Sequence, residues 1–128
     1  MNQILYLSET EIAWLAGLFE GEAYFNLDKR SKKRYINSEA PPAPFIKIAM
    51  IDEDIISRVA KLLNKNYYIP SRLTSTGKKV YVCHIGDRKT LIYLLPKLLP
   101  YMGQRRTETI KECIIELKNW EMWKKKCN

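Results

Sequence analysis

Histidine, cysteine and long apolar runs are scarce in this sequence, and each scarcity removes a class of function. Only one histidine, His84, occurs in 128 residues. A lone imidazole is a surface or ligand-contact residue far more often than a metal ligand or a catalyst. The cysteines number three, Cys83, Cys113 and Cys127, and lack the close pairs of a zinc site or a disulfide framework. They fit a reducing compartment. No apolar run approaches a membrane span, and "MNQILYLSET" has no basic start of the kind a signal peptide needs. The expectation is a soluble, intracellular protein with no membrane partner. Richness in Lys, Ile, Asn and Tyr hints at an AT-rich genome, and so at a prokaryotic or phage-infected cytoplasm or an organelle matrix.

Acids are in deficit as well. Lys and Arg number 22 against 14 Asp and Glu, so the net charge is +8 and the isoelectric point about 9.4. That balance is the footprint of a polyanion binder. The length suits one domain, 1–128, with a real core but no room for two catalytic halves.

The chain reads as alternating short elements. Ser8 and Glu11 have capping-box spacing, which places a helix start near Glu9. That helix runs to about Gly21. Period-two alternation then predicts a strand carrying Phe25 and Leu27 on one face and Tyr24, Asn26, Asp28 and Arg30 on the other. A second strand is expected over Pro44–Met50, with Ile46 and Ile48 alternating against Lys47. Between them "SKKRYINSEAPPAP" reads as a long basic loop and contact arm. Asp52, Glu53 and Asp54 suit a helix N-terminus, and Ile55, Val59, Leu62 and Leu63 would form its buried stripe. Third and fourth strands are expected near Tyr67–Thr74 and Lys79–Ile85, turning at Gly77. Leu91, Leu94, Leu95 and Leu98 predict a helix that Pro96 should kink or restart. The last helix follows Gly103 with Ile110, Cys113, Ile114 and Leu117 inward, and the basic tail, about 119–128, should be frayed. The class is α+β, an antiparallel sheet with helices on one face. The other face would be solvated, and its polar residues could lie in a DNA major groove.

The stretch "EIAWLAGLFEGEAYFNL" demands its own explanation, because it puts glycines and carboxylates together at a helix end. Ala13, Gly17 and Gly21 recur every four residues, so one flank of the helix is almost bare and a second helix can approach closely. "LAGLFEGEAYF", Leu15 to Phe25, resembles the signature of the LAGLIDADG homing endonucleases. The "DED" helix start after strand two and the basic "GQRR" near the last helix match that family's order, over roughly Glu11 to Leu117.

The resemblance implies an αββαββα core with a four-stranded antiparallel sheet, plus the C-terminal helix. A chain with one motif obtains the second helix from an identical subunit, so a homodimer is implied through Ala13, Leu15, Gly17, Leu18 and Gly21. Glu22 takes the place of the metal-binding acid, with Gly21 beside it, and Glu20 that of the earlier, more structural acid. Mg²⁺ is the implied cofactor, for which Mn²⁺ can substitute. Arg105, or the adjacent Arg106, falls where the family has a basic residue, and Lys47 is the polar candidate nearest the end of strand two. Asn26, Asp28, Arg30, Lys32, Arg34, Lys47, Arg72, Thr74 and Lys79 are the implied contacts to double-stranded DNA. The implied activity is site-specific cleavage of both strands across the minor groove, leaving 3′ overhangs. The alternative is a non-cleaving nucleic-acid binder, either a maturase whose partner is intron RNA or a DNA-binding regulator.

Overall fold

The structure, a computed structural model, describes residues 5–30, 40–71 and 73–127. Helix α1 (Glu9–Glu22) begins as the capping box predicts. Ser8 Oγ accepts from the Glu11 amide at 3.1 Å, and Glu11 Oε1 accepts from the Ser8 amide at 2.9 Å. Both amides lie beyond the reach of any helical carbonyl. The helix buries Ile12, Leu15, Ala16 and Phe19, and passes without a loop into strand β1 (Ala23–Asp28). Ala23, at φ −90° and ψ 157°, is ordinary extended backbone, so no glycine is needed at the join.

Strand β2 (Ala43–Met50) pairs antiparallel with β1 on one side and with β3 (Tyr81–Ile85) on the other. Register aligns Phe25 with Ile46 and Ile85, and Ala23 with Ile48 and Cys83. These buried rows face the helices. The row between them, Tyr24, Lys47 and His84, is exposed on the opposite side.

Among the described residues the sheet has three strands, not the expected four. The segment proposed as the third strand makes one bridge, in which the Tyr68 and Val82 amides and carbonyls bond reciprocally at 2.9 and 2.8 Å. In an antiparallel ladder the next inward-pointing amide belongs to the residue two positions on. That residue is Pro70, which has no N–H to give, and pairing stops. The turn itself stands where it was expected, with Gly77 at φ 79°.

Helix α2 (Glu53–Leu63) buries Ile56, Val59, Ala60 and Leu63. Ile55 and Leu62, expected inside, are only half-buried, because the sheet takes the i, i+3, i+4, i+7 stripe that begins at Ile56. Asn64, left-handed at φ 54°, ends it, and Lys65 N–H bonds to the Ala60 carbonyl at 2.8 Å. Helix α3 (Arg88–Leu98) starts at Asp87, whose carboxylate accepts from the Thr90 amide and hydroxyl at 3.1 and 2.6 Å and pairs with Lys65 at 2.6 Å. It runs through Pro96 to Leu98 and tightens into a 3₁₀ turn, Leu99–Tyr101, instead of restarting. The proline stands in the last turn, where the helix is ending anyway.

Helix α4 (Gln104–Cys127) is the largest correction. The tail expected to fray is helical through Cys127. Trp120 anchors it: only 3% exposed, it donates from Nε1 to the Pro42 carbonyl at 2.9 Å and packs edge-on to Trp123, while the Arg88 guanidinium lies 4.5 Å from its ring centre. The apolar side chains of sheet and helices form a core around Phe19, Ile46, Ile48, Leu94 and Ile110.

Trp120→Ala should therefore cost about 3 kcal/mol of unfolding free energy in urea titration, as for other large-to-small changes of buried aromatics. A frayed tail would make the change neutral. A second expectation concerns pH. Burial pushes the Asp87 carboxyl up, but hydrogen bonds from Lys65 and Thr90 outweigh it and hold it below its ordinary value. A carboxyl lowered by folding stabilises the protein above its unfolded pKa, and that contribution disappears as pH falls through the folded pKa. Asp87→Asn should be less stable than the wild type at neutral pH, and the gap should close on acidification below its ordinary value of 3.8.

Candidate active site and nucleic-acid interface

Two residues along an α-helix turn the side chain by about 200°, so Glu20 and Glu22 cannot share a side of α1. Glu20 turns toward the start of α4. Its Oε1 accepts from the Gly103 amide at 3.2 Å, and its Oε2, buried without a hydrogen bond, lies 3.7 Å from Arg106 Nε. The same guanidinium donates to the Glu20 carbonyl at 2.8 Å and to the Ala23 carbonyl at 2.6 Å. A helix leaves its last carbonyls unpaired, and its C-terminal end is electronegative; the arginine fork meets both needs. Gly103 is part of the same joint, because a Cβ there would stand 2.6 Å from Glu20 Oε1.

Glu22 points the other way and is exposed, as is Gly21. Among the described residues no three His, Cys, Asp or Glu side chains gather as a metal cluster. One chain thus offers a hard cation a single carboxylate and the helix-end backbone, an oxygen-only set that suits Mg²⁺ in kind. Arg105 is exposed on the first turn of α4, whereas Arg106 is committed to the joint. Lys47 faces Tyr24, which stands two residues beyond Glu22.

The open sheet face carries more aromatic surface than its polar alternation suggests. Tyr24, Asn26, Phe45, Lys47 and His84 share it. Phe45 stacks on His84 with ring centres 5.3 Å apart and planes 19° apart, and Tyr24 lies tilted 5.9 Å from Phe45. The Asn26 amide donates to the Tyr24 hydroxyl. At the end of β1, Asp28 grips Arg30 through Nε and Nη2 at 3.0 and 2.9 Å, and that hydrogen-bonded pairing raises the guanidinium pKa. Thr74 and Lys79, expected on the sheet, sit in the connection before β3, where Thr74 N–H bonds to the Lys78 carbonyl at 3.0 Å. Lys32, Arg34 and Arg72 lie outside the described residues. Alternation already places Tyr24 on this face, and Phe45 was legible there because it stands two residues from Lys47; only their aromatic character kept them out of the set of polar contacts.

Ala13, Gly17 and Gly21 form an exposed flank, and a Cβ placed on Gly17 or Gly21 would meet nothing within 4 Å. Leu18 is half-buried beside it. Leu15 is not available to any such flank: two residues from Gly17, it turns inward and is fully buried in the chain's own core.

The family model of the LAGLIDADG-like domain matches residues 9–98. This chain belongs to that family. Among solved structures it is similar to the homing endonuclease I-CvuI, crystallised with its target in the presence of calcium, at a TM-score of 0.60 and 18% identity, covering 88% of this chain and 69% of that one. The archaeal intron-encoded homing endonuclease I-Vdi141I, complexed with DNA, gives 0.57 at 17% identity over 87% of this chain and 70% of that one. The group I intron-encoded I-CeuI, also complexed with DNA, gives 0.50 at 19% identity, with 95% and 56% covered. At such identities the shared property is the fold. None of the curated protein sequences matches.

In this LAGLIDADG domain the two acids of the motif therefore have separate surroundings: Glu20 is bound into the joint with α4, and Glu22 is left outside it. Arg106→Ala should remove about 2 kcal/mol of stability, because two helix-end carbonyls and a carboxylate lose their partner at once. Amide exchange should quicken over residues 21–24 and stay unchanged over residues 9–12. Equal exchange at both ends would show that the arginine does not hold the joint.

Proposed function

We propose that this protein is a site-specific, divalent-metal-dependent DNA endonuclease of the homing type, acting as a homodimer. The observation that carries the proposal is an exposed Glu22 at the end of a helix whose bare flank meets no partner among the described residues. A glycine inside a helix costs about 1 kcal/mol relative to alanine. Gly17 and Gly21 recover none of it among the described residues, since no neighbour there would be struck by a Cβ at either position. Close packing of two α1 helices accounts for them, with Leu18 at the margin.

That packing brings the Glu22 of one subunit near its counterpart, each at the end of a helix fixed by Arg106. Glu22, with the Gly21 backbone beside it, would hold Mg²⁺ or Mn²⁺. A bound metal of this kind polarises a scissile phosphate and lowers the pKa of an attacking water. Arg105, exposed and charged, is placed to offset phosphate charge and cannot readily act as a base. Lys47 serves the sheet face more than the reacting phosphate, because register sets it among Tyr24 and His84. Each sheet would read one half-site in the major groove, and each Glu22 would serve one strand across the minor groove, leaving 3′ overhangs. The DNA bound in the I-CvuI and I-Vdi141I complexes and the net charge of +8 support this reading.

Glu22→Gln keeps the size of the side chain and removes the charge that holds the metal, so it should abolish Mg²⁺-dependent cleavage of the target locus while DNA affinity persists. Wild-type protein that binds this locus tightly and never cuts it in Mg²⁺ or Mn²⁺ would instead be a non-cleaving binder. Gly17→Leu tests the assembly separately. A Cβ at Gly17 meets nothing within 4 Å among the described residues, so the circular dichroism spectrum should be native, while sedimentation should show a monomer. A Gly17→Leu protein that remains dimeric would place the interface elsewhere.

A further inference from the structure

We infer that Tyr24, Phe45 and His84 form an apolar reading patch that recognises the C5-methyl group of thymine in the major groove. The inference rests on the reading of the chain as a double-strand DNA binder. Tyr24 and His84 flank Lys47 across the strands, and Phe45 stands one step along the same face, opposite Asn26. The three rings touch in sequence, Tyr24 to Phe45 to His84, on the side of the sheet away from the core. Tyr24 is 54% exposed and His84 is exposed. Aromatic surface left in water on an otherwise polar sheet is unfavourable, at about 25 cal/mol per Å², unless a ligand covers it.

The polar residues of the same face are largely satisfied by one another. Asn26 donates to the Tyr24 hydroxyl and accepts from the Leu27 amide at 2.8 Å, so both ends of its amide are engaged. Arg30 is gripped by Asp28. Among the described residues of this face, what remains presented between them is Lys47 and ring surface. Of the groups that base pairs show in the major groove, the thymine methyl is the apolar one.

Ring geometry favours a methyl over a stacked, unpaired base. A base needs a clear ring face, as on the aromatic platforms that bind single strands. One face of Phe45 is already covered by His84 at an interplanar angle of 19°, and Tyr24 is tilted by 57°, so the rings form a shallow cup. Gly86 maintains it: a Cβ there would lie 2.9 Å from His84 Cε1 and push the imidazole off Phe45.

The test begins by selecting sites from randomised duplex DNA with the full-length wild-type protein. A thymine should be selected at one or two positions of each half-site. Those thymines are then replaced singly by deoxyuridine, which removes the methyl and leaves base pairing and every hydrogen-bonding group in place. Affinity should fall about fourfold at each patch position, the effect of burying one methyl, and elsewhere should not change. Phe45→Ala should bind the thymine and deoxyuridine duplexes equally, and Gly86→Ala should reduce the discrimination. A selected site in which every deoxyuridine is neutral would overturn the patch and leave the DNA-binding reading intact. Absence of any preferred duplex, with Phe45-dependent binding to single-stranded RNA, would overturn both.

Discussion

The Arg106 guanidinium is the contact on which the placement of Glu22 and the end of helix α1 depends. Many helices end in a left-handed residue that folds the chain back onto its own carbonyls. Helix α1 has none, because Ala23 goes straight into extended backbone. Its carbonyls need a donor from elsewhere, and α4 provides one that bonds to Glu20 and Ala23 together. One side chain thus ties the end of a helix, the start of a strand and the start of another helix. Glu22 lies between the two tethered carbonyls and inherits their fixed position without contributing to it.

The division of the sheet into two faces follows from that joint and from register. With Ala23 turned inward, period-two alternation commits Phe25 to the core and Tyr24 and Asn26 to the open side. A slip of one residue would bury Lys47 and expose Ile46 and Ile48. The helices cover one side only, so the charge, the aromatic rings and the helix-end acid all belong to surfaces that the fold leaves uncovered.

Where reading from the sequence failed, long-range partners were the cause. The expected third strand has good β formers at Tyr67, Tyr68 and Ile69, yet Pro70 falls at the position whose amide the ladder needs. That is visible only once Tyr68 is known to face Val82. The tail carries several lysines and looks solvated, but Trp120 reaches Pro42, 78 residues away in sequence. Ile55 and Ile56 are equivalent in hydrophobicity, and only the direction in which α2 meets the sheet selects Ile56.

Local chemistry was settled by sequence alone: the capping box at Ser8 and Glu11, the alternation of β1 and β2, the bare helix flank, and the signature that reveals the family. These depend on residues within a turn or two of each other, whose geometry is set by backbone sterics and hydrogen-bond spacing. Tertiary structure decided the rest. It assigned Arg106 to the joint and left Arg105 exposed, took Leu15 into the core, and gathered Tyr24, Phe45 and His84 into one patch. Spacing along the chain can tell which side of its element a residue takes, but the meeting of Arg106 with the end of α1 and of Phe45 with His84 turns on which surfaces pack across the fold.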